Sequence, residues 1–495
     1  MRDKVFEFEG IRRGFLGSET VKQEGQRPLI HLLNKLSSGK ITETELTRAE
    51  VKAYLPTYIL GYSSGQNEIL SLPFFKMRFI HFDEYRDHLT KDVPYDGKPE
   101  GRMIYLDEQF SQAILVCHFL FPSEAVTKVF EEKIGLKGIR RFRLIIRRHH
   151  RLPLATERLQ SMTADDQKDT AKTTVELTAQ LAGHYDEKNE SQLGVIDKLI
   201  KCSTTHYEDF SAYKEDEGSD LVLDYWVNEE TRKAFRFHFG VGVGGSEELS
   251  KAASALNLFQ SLQTLLTLNY FQVDAETKAE LYRSHSLYLN ETIPLPASHE
   301  RIMRFKDFEI VKDGVTSKLY GKSLSDGEHQ LVHTIGVCLL FRHQPALFLL
   351  DEPETHLNPD WRASYVSTLR AALEADDATK NVMREVLLTS HSPFIISDCE
   401  KENVLVFVKN KDGKVEWHNA DFNTFGASAN AITIKVFGRK ETIGDYALSK
   451  LDGFRQRLKD GENPNTIIDE AGEELGDSVE KVLFVNQALD KTEGE

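Results

Sequence analysis

Hydrophobic and polar positions along this chain change their spacing several times, and each change marks a different kind of element. Between about residues 51 and 154 "LPTYILGY" and "GIRRFRLIIRR" are β-prone, and "DVPYDGKPEGRM" between them is turn-rich. In the same region "DEQFSQAILVCHFLF" repeats its apolar residues at helical spacing. From Glu157 to Asp220 the pattern dissolves into polar sequence with acidic runs such as "YKEDEGSD". Helical spacing returns in "NEETRKAFRFHF" and in the long "SEELSKAASALNLFQSLQTLLTLNYF". The hinge between them, "GVGVGGS", has no strong strand before it and no Lys after it, so it does not read as a nucleotide loop. From Tyr320 onward the order is helix, strand, helix, strand, strand. Two strands are short apolar runs, "QPALFLLDEP" and "MREVLLTSHSP", followed by "ENVLVFVKN" and "KVEWHNAD". Apolar runs alternating with helices predict an α/β fold with a mostly parallel core sheet. The chain divides into a β-rich N-terminal part (1–154), a polar insertion and helical region (155–300), a C-terminal lobe (301–425) and a helical, charged tail (426–495).

Composition narrows the functional classes. Among 495 residues, 78 acidic side chains outweigh 62 basic ones and leave a net charge of −16 at pH 7, so nucleic acid is repelled on average. The one basic cluster, Gly138 to Arg151, carries Arg140, Arg141, Arg143, Arg147 and Arg148 on a strand-like pattern. It reads either as an exposed strand rim or as a local contact for nucleic acid or a partner. No apolar run reaches the roughly 18 residues of a membrane span, because Arg342, His343 and Gln344 interrupt the longest candidate. The charged start "MRDKVFEFEG" lacks the apolar centre of a secretory signal. Cys117, Cys202, Cys338 and Cys399 form no CxxC pair and are expected to be reduced thiols of a cytoplasmic protein, with no zinc site.

Chemistry concentrates in the C-terminal lobe. Asp351 and Glu352 emerge at the end of a buried strand, where an Asp can hold hydrated Mg²⁺ beside a phosphate and a Glu can polarise an attacking water. A second strand ends in Ser390-His391, and an imidazole there can hydrogen-bond a terminal phosphate. Upstream, "LSDGEHQL" opens a helix in which Ser325 is an N-cap and Glu328 completes a capping box. Gly327 allows close backbone approach at a helix start suited to phosphate.

Together "LSDGEHQ", "LFLLDEPETHLNP" and "LLTSHSP" resemble the signature motif, Walker B segment with D-loop, and switch histidine of ABC-type ATPases. The narrower resemblance is to the AAA-labelled branch that includes chromosome-maintenance and DNA-repair ATPases. "YILGYSSGQNEIL" and "TFGASANAI" bring the chain closest to antiphage ATPases associated with restriction systems. The resemblance implies an ABC-ATPase-like P-loop fold with ATP and Mg²⁺ as cofactors. It implies that Asp351 serves the metal, Glu352 is the catalytic carboxylate, and His391 meets the γ-phosphate. Ser325 and Gly327, with Glu328 beside them, would meet ATP held by the other subunit of a head-to-tail homodimer. Glu354 and His356 would lie at the seam, and a nuclease or toxin would be the gated partner. Asp326 departs from the Gly or Ser that many members carry.

One part of that site is missing. A Walker A loop needs Gly, four residues, then Gly-Lys-Ser/Thr. "YGKS" has Thr316 at the first Gly position, and "LSSGK" has Asn34. "LGYSSGQNE" spaces Gly61 and Gly65 one residue too close and offers Gln66 and Asn67 in place of Lys and Ser/Thr. The expectation is therefore either an ATPase whose cradle lies outside this sequence, an ATPase-like scaffold regulating a partner, or a cradle of unfamiliar pattern. An intrinsic nuclease is not expected, since "NADFNTF" and "GDY" offer single aspartates and no DxD-like pair.

Overall fold

The computed structural model describes residues 5–9, 29–35, 41–45, 47, 55–65, 68–93, 102–148, 150–182, 193–211, 219–244, 246–271, 273, 275–283, 296–375, 379–380, 382–439 and 441–493. Strands β1 (Val5–Glu9), β2 (Leu29–Lys35) and β3 (Ile41–Glu45) form an antiparallel sheet. Next come β4 (Tyr58–Ser63), helix α1 (Glu68–Lys91), the short β5 (Met103–Tyr105), α2 (Phe110–Leu120) and α3 (Glu124–Ile134). Ser123 caps α3 by accepting from the Val126 N–H, and Gly135 ends it in the left-handed region at φ +67°. The chain then enters β6 (Leu136–Arg147), a 12-residue strand.

Beyond β6 the fold differs from the apparent insertion. The strands β7 (Arg151–Pro153) and β8 (Thr174–Glu176) make a small antiparallel ribbon. After α4 (Val195–Cys202), however, β9 (Thr205–Asp209) and β10 (Asp220–Trp226) return to β6 and extend its sheet. Helices α5 (Glu229–Phe239) and α6 (Glu247–Thr267) follow, then β11 (Met303–Lys312) and β12 (Leu319–Tyr320). The five-stranded sheet runs β12-β11-β6-β10-β9 and is antiparallel throughout. Described residues within 155–300 therefore share the central core, through Leu221, Tyr225, Phe235, Leu258 and Phe259 among others.

The C-terminal lobe continues with α7 (Asp326–Phe341), β13 (Ala346–Asp351), α8 (Pro359–Leu373) and β14 (Arg384–Thr389). Four strands in the order β14-β13-β4-β5 make the parallel sheet predicted from the apolar runs. Between the two sheets lie α2, α6 and α7, which pack on one another and touch β6, β11 and β13 respectively. Helix α7 is buried along almost its whole length, and its second half, from Ile335 to Phe341, is apolar on every side, as a helix buried all round requires. An antiparallel hairpin, β15 (Leu405–Lys409) with β16 (Val415–Asn419), precedes three helices, α9 (Asp445–Lys459), α10 (Pro464–Glu474) and α11 (Val479–Glu493), with a small core of their own. Among the described residues, no helix is long and apolar enough to cross a membrane.

The basic cluster lies on β6 and just after it, and its arginines meet carboxylates of the same sheet. Arg141 donates to Glu309 at 2.7 Å, Arg143 grips Asp224 through two bonds of 2.8 and 2.9 Å, and Arg148 reaches Glu208 at 3.0 Å. Arg147 faces Asp220 at 3.6 Å, and Arg140 is exposed. A phosphate would have to displace these carboxylates, so the cluster offers little ready-made positive potential.

Two histidines tie the core to pH. His118 of α2 donates from Nε2 to the Gly336 carbonyl of α7 at 2.8 Å, where the helices cross so closely that a Cβ on Gly336 would stand 2.7 Å from the Ile114 side chain. Burial lowers His118 to about 4, against the smaller opposing effect of that bond. Burial likewise lowers His333 to about 4. Both folded values lie below the roughly 6.5 of an unfolded histidine, so the unfolded chain takes up protons first on acidification. Stability is fully present above pH 6.5 and is expected to fall by roughly 3 kcal/mol per histidine as pH drops toward 4. Denaturant midpoints measured from pH 7 to 4.5 check this, and His333→Gln should flatten the decline.

Candidate functional site

The site begins with register. In the parallel sheet, Asp351 at the end of β13 stands opposite Ser63 at the end of β4 and Thr389 at the end of β14. The Ser63 hydroxyl donates to Asp351 Oδ2 at 2.9 Å, and the Thr389 hydroxyl donates to Oδ1 at 2.6 Å. The carboxylate is thus held from both sides at the carboxyl edge of the sheet, where open α/β sheets place their ligands.

Glu352 comes next and leaves the strand in the left-handed region, at φ +46°. A residue with a Cβ seldom adopts this conformation, at a cost of about 1–3 kcal/mol, unless its surroundings fix it. Here they do. Its N–H faces the Thr389 carbonyl at 3.1 Å and the Thr389 hydroxyl at 3.2 Å. Its carbonyl accepts from the Thr355 hydroxyl at 3.0 Å and from Gln330 Nε2 at 3.2 Å. The turn aims the half-exposed Glu352 side chain at His391, whose Nε2 lies 3.3 Å from Oε1. His391 itself is 83% exposed, open to whatever approaches the sheet edge.

Behind this pair, Glu354 is buried and accepts a hydrogen bond from the Ser390 hydroxyl. Burial pushes its carboxyl up from the usual range. The Ser392 N–H donates to Ser390 Oγ at 2.9 Å, so the turn after Glu352 is tied to the segment carrying His391.

The third component is the start of α7. Ser325 Oγ accepts from the Glu328 N–H at 3.3 Å and Glu328 Oε2 accepts from the Ser325 N–H at 2.9 Å, forming a reciprocal capping box. Glu328 also pairs with Lys312, so both its oxygens serve the helix start. Ser325 and Asp326 are exposed, which leaves the Asp326 carboxylate solvated. Gly327 is buried against the turn after Glu352, and a Cβ there would come within 2.7 Å of the His356 carbonyl. Only glycine permits this approach.

The residues singled out by sequence fall into two groups. Asp351, Glu352 and His391 come together at the ends of β13 and β14. Ser325, Gly327 and Glu328 form the first turn of α7, pressed onto the segment that follows Glu352. Sequence reasoning missed Ser63, Thr389 and Gln330, whose roles depend on register and helix packing. "GKS" is a 3₁₀ turn at Gly321–Ser323, with Gly321 buried against Phe308 and Lys322 exposed, and so cradles nothing. In the "GYSSG" segment Ser64 Oγ lies 3.1 Å from Thr355 Oγ1, while Gln66 and Asn67 fall outside the described residues.

The donor set suits one kind of metal. Among the described residues there is no cluster of three or more His, Cys, Asp or Glu that could hold an ion. A lone anchored carboxylate fits Mg²⁺, which keeps its waters and relies on substrate phosphates for its remaining ligands.

Comparisons with known proteins agree with this part of the chain. A family model described as "AAA domain, putative AbiEii toxin, Type IV TA system" matches residues 206–397, which include α7, β13 and His391. Over 163 residues the chain is 24% identical to Protein ea59 of Escherichia phage lambda, covering 32% of this chain and 30% of that protein. The match thus spans less than a third of that protein's length. The family match supports an AAA, P-loop type of ATPase domain within a mixed α/β fold.

Proposed function

We propose that the chain binds ATP with Mg²⁺ at the carboxyl ends of β13 and β14 and hydrolyses it. The observation that carries this reading is the convergence of Asp351, Glu352 and His391, three groups of different chemistry, on one edge of a parallel sheet. Asp351, pinned by two hydroxyls, would hold the metal ion, which would supply charge neutralisation to the phosphates. Glu352 orients and polarises the attacking water and takes up its proton at a carboxylate oxygen. His391 donates from its exposed imidazole to the terminal phosphate as negative charge redistributes. In the ABC-type arrangement, the exposed Ser325 of one copy faces the nucleotide of a second copy docked head to tail, with His356 at the seam. Gly327, buried against its own chain, then shapes the helix start. The matching family's description names a toxin of a type IV toxin–antitoxin system, and by analogy with the antiphage ATPases the sequence resembles, such a switch would gate a nuclease or toxin in antiphage defence.

A second reading has its own observation. Among the described residues β14 pairs only with β13, and its apolar residues are open: Leu387 is 56% exposed and Val386 36%. Strands of a parallel sheet are ordinarily covered on both faces. A further strand laid parallel to β14 would end level with Thr389, beside His391 and Asp351. A phosphate loop following such a strand would complete the site, and this sequence contains no Gly-x4-Gly-Lys-Ser/Thr segment. On this reading the chain alone is a hydrolysis-incompetent scaffold that acts through a partner. Phosphate release from ATP separates the two: Mg²⁺-dependent release that stops with EDTA supports the first, and no release at any Mg²⁺ concentration supports the second.

A further inference from the structure

We propose that Gln330 is a positioning residue that couples α7 to the catalytic turn, by donating from Nε2 to the Glu352 carbonyl while its Oε1 accepts from the His356 N–H. The inference deepens the ATPase reading and rests on it for its catalytic consequence. The two bonds measure 3.2 and 2.9 Å, and Gln330 is 2% exposed, so neither group has water as an alternative partner. The Tyr62 phenol of β4 sits against the same amide. One side chain therefore links α7, the residue that follows β13, the turn at His356 and the neighbouring strand.

Its importance comes from what the Glu352 peptide requires. The left-handed turn persists because it is over-determined, and its other bonds come from Thr389 at the sheet edge and from Thr355 in the turn that follows. Gln330 is the bond that reaches Glu352 from the helix layer. It lies one turn along α7 from Gly327, which presses on the His356 carbonyl. A displacement of the α7 start, such as contact with a nucleotide or a second copy would cause, reaches the Glu352 peptide through this amide. Without the donor, the peptide keeps its bonds to Thr389 and Thr355 but loses its tie to the helix layer, so it can shift relative to α7 and carry the carboxylate away from His391. Misplacement of a catalytic group by about 1 Å costs on the order of 100-fold in rate.

Two variants divide the possibilities. Gln330→Met keeps the shape and loses both bonds, whereas Gln330→Glu keeps an acceptor for the His356 N–H and loses the donor to Glu352 when its carboxyl is ionised. Both are expected to lower kcat for ATP by about 10- to 100-fold with KM changed less than about threefold. Independently of turnover, histidine NMR of the nucleotide-free protein should show the His391 signal, identified by its loss in His391→Gln, displaced in both variants. Gln330→Met behaving as wild type in the His391 signal would overturn the proposal, because the donor to Glu352 would then be dispensable. A wild-type chain without ATP turnover would sink the hydrolysis reading instead, and the His391 signal would still decide the role of Gln330. Melting temperatures identify a variant that has merely lost its fold.

Discussion

Glu352→Gln is expected to reduce ATP turnover by about 10³-fold while leaving nucleotide binding within a few-fold of wild type. The size follows from the role: the amide has nearly the same shape and can keep the Thr355 hydroxyl as a neighbour, yet it cannot accept a proton from water. The left-handed backbone at this position is supported by bonds to the peptide and not to the carboxylate, so the substitution should leave the turn intact. In a head-to-tail dimer the same variant should hold the nucleotide-bound pair, visible as a doubled mass in ATP that reverts in ADP. Single-turnover kinetics beside an equilibrium binding curve make the check. Equal losses in binding and turnover would mean that Glu352 serves the nucleotide pocket and not the chemistry.

Asp351→Asn should have the second-largest effect, through the metal. Ser63 and Thr389 both present hydroxyl donors to this carboxylate, and an asparagine can satisfy only one of them through its carbonyl, its amide nitrogen being itself a donor. The variant thus loses the negative charge that attracts the ion and disturbs the hydroxyls that orient it. Metal affinity in the presence of nucleotide should fall by about 10- to 100-fold or more, measured with Mn²⁺ as a paramagnetic reporter. Unchanged Mn²⁺ binding would remove Asp351 from the metal site, even if turnover had fallen.

How much of this could be read from the chain depends on how local each signal was. Asp351, Glu352 and His391 were legible because each sits at the end of a short apolar run, and the capping box of Ser325 and Glu328 was legible because its two partners are three residues apart. The parallel sheet followed from the same runs. The pairing of β10 with β6 was hidden, since a polar stretch separates Arg147 from Asp220 and nothing local announces the partner. Helix α1 was also unread: Phe74, Phe79, Phe82 and Tyr85 are buried, but charged residues such as Asp83 and Arg86 interrupt its apolar face. Gln330 and Ser63 could be assigned only once α7 and β4 were placed beside β13. The apolar run of β14 predicted a buried strand, whereas the structure leaves it at an open edge among the described residues. That mismatch between sequence and surroundings is also the physical support for a further strand.

A nucleotide site at the ends of β13 and β14 has a simple signature in solution. The most direct test is calorimetric titration of the 495-residue protein with ATP, with and without Mg²⁺. Saturable binding that tightens when Mg²⁺ is present is the expected result. Absence of binding heat under both conditions, confirmed by unchanged thermal stability in millimolar ATP, would contradict it and leave the chain a scaffold awaiting its phosphate loop.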